Sequence, residues 1–159
     1  MPESRVVESV ADAKPLVGQE LGVGPWFEMT QERVNAFADA TGDHQWIHVD
    51  PERAAKGPFG GTIAHGYLTL SLTLLLGREM EGIKISLKSK MSVNYGLNRV
   101  RFVSPVPVGK RIRLRSKLVN VEEPGPGIAQ LTYQHTVEIE GSEKPALVSE
   151  WIGRHYLET

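Results

Sequence analysis

Apolar positions recur at helical spacing in the first half of the chain and alternate with polar ones in the second. Thr30 can cap a helix over 31–40, where Val34, Phe37 and Ala38 fall at i, i+3 and i+4 on one face and Gly42 supplies the stop. Asp50-Pro51-Glu52-Arg53-Ala54-Ala55 joins a cap, a proline in the first turn and an early acid, the signals of a short second helix. From 66 to about 80 the run YLTLSLTLLLGREM is apolar nearly all round, as expected of a helix buried on most of its surface. Beyond it the pattern predicts strands at roughly 88–95, 98–102, 111–122, 128–140 and 146–156, with Gly/Pro turns between them. RIRLRSKLVNV and LTYQHTVEIE show the alternation of antiparallel strands with one polar face.

One buried helix followed by a run of strands predicts an α+β fold, an antiparallel sheet wrapped around a central helix. Residues 1–16 read as a polar N-terminal segment and 17–159 as one domain, the size expected for a chain of 159 residues. A half-wrapped sheet leaves edges that a second copy can pair with, so a homodimer is expected.

Composition narrows the chemistry. With 18 basic against 19 acidic residues, net charge −1, the chain has no electrostatic footprint for nucleic acid or an anionic membrane. The absence of cysteine excludes disulfides, thiolate metal sites and a cysteine nucleophile, and fits a reducing compartment. MPESRVVESVADAKP lacks the apolar core of a secretory signal, and no apolar run reaches the roughly 18 residues of a membrane span. A soluble cytoplasmic protein is expected.

The stretch FADATGDHQWIHVDP carries the candidate chemistry. Asp43 and His48 lie in a loop between two helical signals, where reacting groups tend to sit. Near pH 7 a carboxylate and a neutral imidazole can both accept hydrogen bonds from one water, which makes the pair a candidate for activating it. A purely local role is the alternative: Asp43 capping a turn after Gly42, and His48 satisfied and half-buried. His65-Gly66 precedes the apolar helix, and a glycine there leaves backbone N–H groups open to an oxygen that gains negative charge. Gly66 could equally serve only to turn the chain into the helix. Together the two parts suit conjugate addition of water to an α,β-unsaturated thioester.

Phe37, Thr41-Gly42-Asp43, His48, Asp50-Pro51 and Ile63-Ala64-His65-Gly66 resemble the signature of the MaoC-like dehydratases, the R-specific enoyl-CoA hydratases or hydratase 2. The commonest form of that signature is G-D-x-N-P-L-H; here Gln45, Trp46 and Ile47 replace its asparagine, proline and leucine. The chain is thus more similar to short single-domain members that include nodulation-protein-N-like sequences, and the looser pattern, with YGLNRVRFVSPVPVG, spans most of 17–156. The resemblance implies a hotdog fold, a dimer with a thioester tunnel at or near its interface, and catalytic roles for Asp43 and His48. It also implies acyl-CoA contacts at Ile63, Ala64, His65 and Gly66, at Ser92, Val93, Asn94 and Tyr95, at Val103, Ser104 and Pro105, and at Gln130 and Arg154. Ordinary strand packing is the alternative for most of these. The expected reaction is reversible hydration of a trans-2-enoyl-CoA to the (3R)-3-hydroxyacyl product.

Other chemistries fit less well. His44 and His48 are four apart, with Asp43, Asp50 and His65 nearby, but Gly42 and Pro51 interrupt the helix that would aim the pair at one ion, so no metal and no cofactor is expected. Neither G-x-S-x-G nor a helix-leading G-x-G-x-x-G occurs. A hotdog thioesterase would want a carboxylate near the start of the central helix, and 66–77 contain none. A silent acyl-CoA or acyl-carrier binding module remains the alternative of a different class.

Overall fold

The computed structural model describes residues 3–158. Its strands are β1 (Arg5–Val7), β2 (Glu20–Val23), β3 (Phe27–Glu28), β4 (Glu81–Ile85), β5 (Ser89–Phe102), β6 (Arg111–Gly125), β7 (Ile128–Ile139) and β8 (Leu147–Leu157). They form one sheet in the order β1-β4-β2-β6-β7-β8-β5, with β3 on β6, antiparallel except for the parallel pair β1–β4. The helices are α1 (Val10–Ala13), α2 (Gln31–Thr41), α3 (Trp46–Val49), α4 (Pro51–Ala55), α5 (Gly66–Ser71) and α6 (Thr73–Gly77).

α5 and α6 pack Leu68, Leu72 and Leu76 onto Ile112, Leu114, Val137 and Leu147 of the sheet. Each such side chain taken fully out of water contributes about 1.5–3 kcal/mol, which is what wraps the sheet around the helix. A second cluster joins Val7, Ala13 and Leu16 to Leu21, Ile83, Leu118 and Leu131. Residues 5–16, read from sequence as a polar segment apart, are therefore folded onto the sheet, because every few residues one apolar side chain points into this cluster. Met1, Pro2 and Thr159 lie outside the described residues.

The central helix differs from its sequence reading. It is interrupted at Leu72, where Ser71 Oγ donates back to the Tyr67 carbonyl and Thr73 Oγ1 to that of Leu70. It is also less buried than its composition implies: Tyr67 is 69 % exposed and Leu74 48 %. The two strands expected at 88–95 and 98–102 are one strand, because Gly96-Leu97-Asn98 bulges instead of turning; register shifts fall at Asn94/Gly96 and Asn98/Arg101. Gly22 and Gly82 face each other across β2 and β4, and a Cβ on either would overlap the opposite strand's carbonyl oxygen.

Candidate active site

Thr30 caps α2 by accepting from the Arg33 N–H, and Gly42 closes it in the left-handed region at φ +80°. The chain then turns through Asp43 into α3, where His48 sits. Asp50 caps α4 by accepting from the Arg53 N–H, which fixes the far side of the turn. Residues 63–65 run alongside and lead directly into α5.

The His48 ring is buried, 7 % exposed, with Nδ1 2.7 Å from the Ile63 carbonyl oxygen. A carbonyl only accepts, so Nδ1 carries the proton and Nε2 of the neutral ring is the bare nitrogen. His65 is stacked on it, centroids 3.8 Å apart and planes 22° apart, and the Phe37 ring lies 5.0 Å from the His65 ring, tilted by 58°. Asp43 is exposed, and its carboxylate joins ring nitrogens of His48 and His65 in a cluster whose atoms all lie within 4.8 Å of one another.

Two histidines and a carboxylate are enough donors for a metal, but stacking keeps the two ring planes nearly parallel. In-plane lone pairs on parallel rings cannot both point at one ion about 2.0–2.1 Å away. The cluster suits proton transfer better than coordination. His44 takes no part in it: its Nε2 lies 2.9 Å from Asp39 Oδ1, and that hydrogen bond raises its pKa.

A cavity of about 250 Å³ opens beside His48, with Gly66, Ile63, Ala64, Thr69, Ser104 and Pro105 in its wall together with Phe59 and Phe102. Gly66 is the first residue of α5, so its N–H has no intrahelical acceptor. A Cβ there would meet Phe102 Cδ1 at 2.9 Å, so glycine is what lets the ring close over the helix start. α5 is only six residues long, so the donor itself, more than a helix dipole, is what the site offers. A larger cavity of about 480 Å³ lies farther along the helix, walled by Leu74, Met80, Leu114, Tyr133, His135 and Trp151. Its histidine is His135, whose pKa burial pushes down to about 4, whereas the smaller cavity holds His48, which is grouped with the Asp43 carboxylate. The smaller cavity is therefore the better candidate for acid–base chemistry.

The residues expected to touch substrate divide into two groups. Ile63, Ala64, Gly66, Ser104 and Pro105 line the cavity beside His48, whereas His65 lies behind His48 and Val103 is exposed nearby. Ser92, Val93, Asn94, Tyr95, Gln130 and Arg154 gather on β5, β7 and β8 instead. There Ser92 Oγ meets His155 Nδ1 at 2.9 Å, and Asn94 Oδ1 accepts from Trp151 Nε1. Arg154 donates to Gln130 Oε1 and lies 3.9 Å over the Tyr95 ring. Register and alternation put Gln130 and Arg154 on the sheet face opposite Leu131 and Tyr133, away from the helix.

Sequence reading missed Gln31 and Thr62. Gln31 Nε2 donates to the His48 carbonyl at 2.7 Å and its Oε1 accepts from Thr62 Oγ1 at 2.6 Å, so one amide clamps α3 to the segment before the cavity. Their partners are 17 and 31 residues away, and no local pattern marks them.

Residues 12–139 match the family described as MaoC like domain. The chain is 57 % identical over 151 residues to 3-hydroxyacyl-thioester dehydratase Z of Mycobacterium tuberculosis strain H37Rv, covering 95 % of this chain and 98 % of that one. It is 50 % identical to nodulation protein N of Rhizobium leguminosarum bv. viciae, covering 91 % and 89 %. The solved (R)-hydratase from A. caviae involved in PHA biosynthesis aligns with a TM-score of 0.64 at 28 % identity, covering 89 % of this chain and 98 % of that one.

Proposed function

The chain belongs to the MaoC-like domain family, and from that premise we propose that it adds water reversibly to trans-2-enoyl thioesters, the CoA esters, giving the (3R)-3-hydroxyacyl product. The observation that carries this is the buried His48: its proton is committed to Ile63, its other nitrogen is bare, and a carboxylate and an open helix-start N–H stand beside it.

In the forward direction a water held between Asp43 and His48 gives a proton to His48 Nε2 as its oxygen bonds to C3. The C2=C3 π electrons move toward the thioester, and the Gly66 N–H stabilises the enolate-like oxygen. The proton held by His48 returns to C2 with Asp43 assisting, and dehydration is the same path reversed. No hydride moves and no bond to sulfur breaks.

The exposed apolar residues support a second copy as part of this reading. Tyr67 and Leu74 of the helix and Met91, Tyr95, Leu97 and Phe102 of the edge strand β5 are all exposed in the single chain. A homodimer pairing along β5 would cover them, and it could bring one copy's Tyr95–Gln130–Arg154 cluster toward the other's cavity, where the guanidinium would meet a CoA phosphate. No described helix is long and apolar enough to cross a membrane. A cytoplasmic site of action belongs to the same reading, and fractionation tests it.

The function is tested by incubating the protein with trans-2-enoyl-CoA esters of increasing length, without added metal or nicotinamide, and coupling the product to dehydrogenases of opposite stereospecificity. Loss of enoyl absorbance with (3R) product supports the proposal. Exclusive (3S) product, or free thiol without hydration, overturns it in favour of a different hydratase or a thioesterase.

A further inference from the structure

Three hydrogen bonds tie residues 63–65 to the loop that carries the dyad. The Ile63 N–H donates to the Ile47 carbonyl at 3.0 Å, His48 Nδ1 to the Ile63 carbonyl at 2.7 Å, and His65 Nε2 to the Asp43 carbonyl at 2.9 Å. The last spans 22 residues and is the firmest polar hold on Asp43 among the described residues. Its other polar contacts are long: its N–H lies 3.4 Å from Thr41 Oγ1, and its Oδ1 accepts from the Gln45 N–H at 3.3 Å. Asp43 follows Gly42 in an exposed turn, so without His65 little would fix where its carboxylate points.

His65 is itself held rigidly. The residue is 3 % exposed, its ring stacked on His48 with the tilted Phe37 ring 5.0 Å away, and it is absent from the wall of the cavity beside His48. Because Nε2 donates to a carbonyl, Nδ1 is the bare nitrogen of the neutral ring, and it has no partner. A buried, unpaired acceptor has no proton to offer a substrate.

We propose that His65 is a positioning residue, which fixes the Asp43 main chain through Nε2–H and the plane of the His48 ring by stacking, and makes no contact with the substrate. The proposal rests on the hydration reading above. It also explains why the dyad and the Gly66 N–H keep one mutual geometry: both are attached to the single segment 63–66. Displacing a reacting group by about 1 Å costs on the order of 100-fold in rate, so such a brace acts on turnover more than on binding.

Two variants separate its contributions. His65→Phe keeps the stack and removes the tie; His65→Gln keeps an amide donor and removes the stack. His65→Phe should lower kcat by about 100-fold with KM within about twofold, and His65→Gln should recover to within about tenfold of the parent. In a His48→Gln background, His65→Phe should cost less than about twofold further, because there is no base left to position. A rise in KM at unchanged kcat, a fully additive loss in that background, or parent-level activity in His65→Phe would each overturn the proposal. If His65→Phe does not fold, His65→Gln decides by the same division between kcat and KM. Should the parent hydrate nothing, the hydration reading fails, and backbone amide spectra still judge His65. Asp43 and Gln45 amides that shift on substitution support the brace, and unmoved ones overturn it.

Discussion

Lowering the pH from 7.5 toward 4 should destabilise the protein through His135 in a way that substitution can isolate. His135 is buried on the inner face of β7, with Ser116 and Ser149 as cross-strand neighbours and Trp151 stacked 5.7 Å from its ring. Burial pushes its pKa from 6.5 down to about 4. The folded state therefore keeps the ring neutral over a range in which the unfolded chain binds a proton. Stability is fully present above about 6.5 and falls as the pH drops toward 4, where the loss levels off. At about 1.36 kcal/mol per pH unit, the shift amounts to about 3 kcal/mol. Glu138 and Glu140, whose pKa values are lowered, also lose stabilisation in acid, but only below their ordinary range near 4.5. Urea unfolding of the parent and of His135→Leu, at one protein concentration and half-unit pH steps, reads the difference directly. The parent should lose about 3 kcal/mol more than the variant between pH 7 and 4. Parallel stability curves would refute the argument that burial holds His135 neutral.

Other consequences are independent of that one. Gln31→Leu removes the clamp on the His48 carbonyl and strands Thr62 Oγ1; it should cost about 1–3 kcal/mol in unfolding and lower kcat more than it raises KM. Leu97→Asp puts a charge in the apolar edge of β5. Light scattering should then give a monomer where the parent gives a dimer, and a parent that is monomeric across a dilution series would sink the dimer. Gly82→Ala meets both a φ of +125° and the Leu21 carbonyl, and it should lower stability by about 3 kcal/mol, visible as a drop in Tm.

The parts of the fold that could be read from sequence are those whose signals are local. Thr30 and Gly42 bound α2 within a residue or so because cap and stop belong to the helix itself. The long strands β6 and β7 announce themselves by alternation, which burial follows almost residue for residue in β7. β1, β2, β3 and β4 are two to five residues long, too short for a period to show, and each is fixed by a partner distant in sequence. Gly96 read as a turn because a glycine in a strand pattern signals a break, and only the pairing with β8 makes it a bulge. At the site, the motif brought Asp43 and His48 to notice, and the structure groups the Asp43 carboxylate with ring nitrogens of His48 and His65. Gln31 could not be found that way, and neither could the sense in which His65 faces, behind the dyad and away from the cavity. Both depend on which side of a helix or turn meets a segment tens of residues away.

The most direct test is the initial rate of enoyl absorbance loss for the parent and for Asp43→Asn and His48→Gln, measured side by side on a trans-2-enoyl-CoA that the parent hydrates. Asp43→Asn keeps shape and removes charge; His48→Gln keeps hydrogen bonding and cannot take a proton. Each should be about 100-fold slower or more, and the double variant should lose far less than the product of the two, because both groups act on one water. A folded variant of either kind that turns over within a few-fold of the parent would contradict the account.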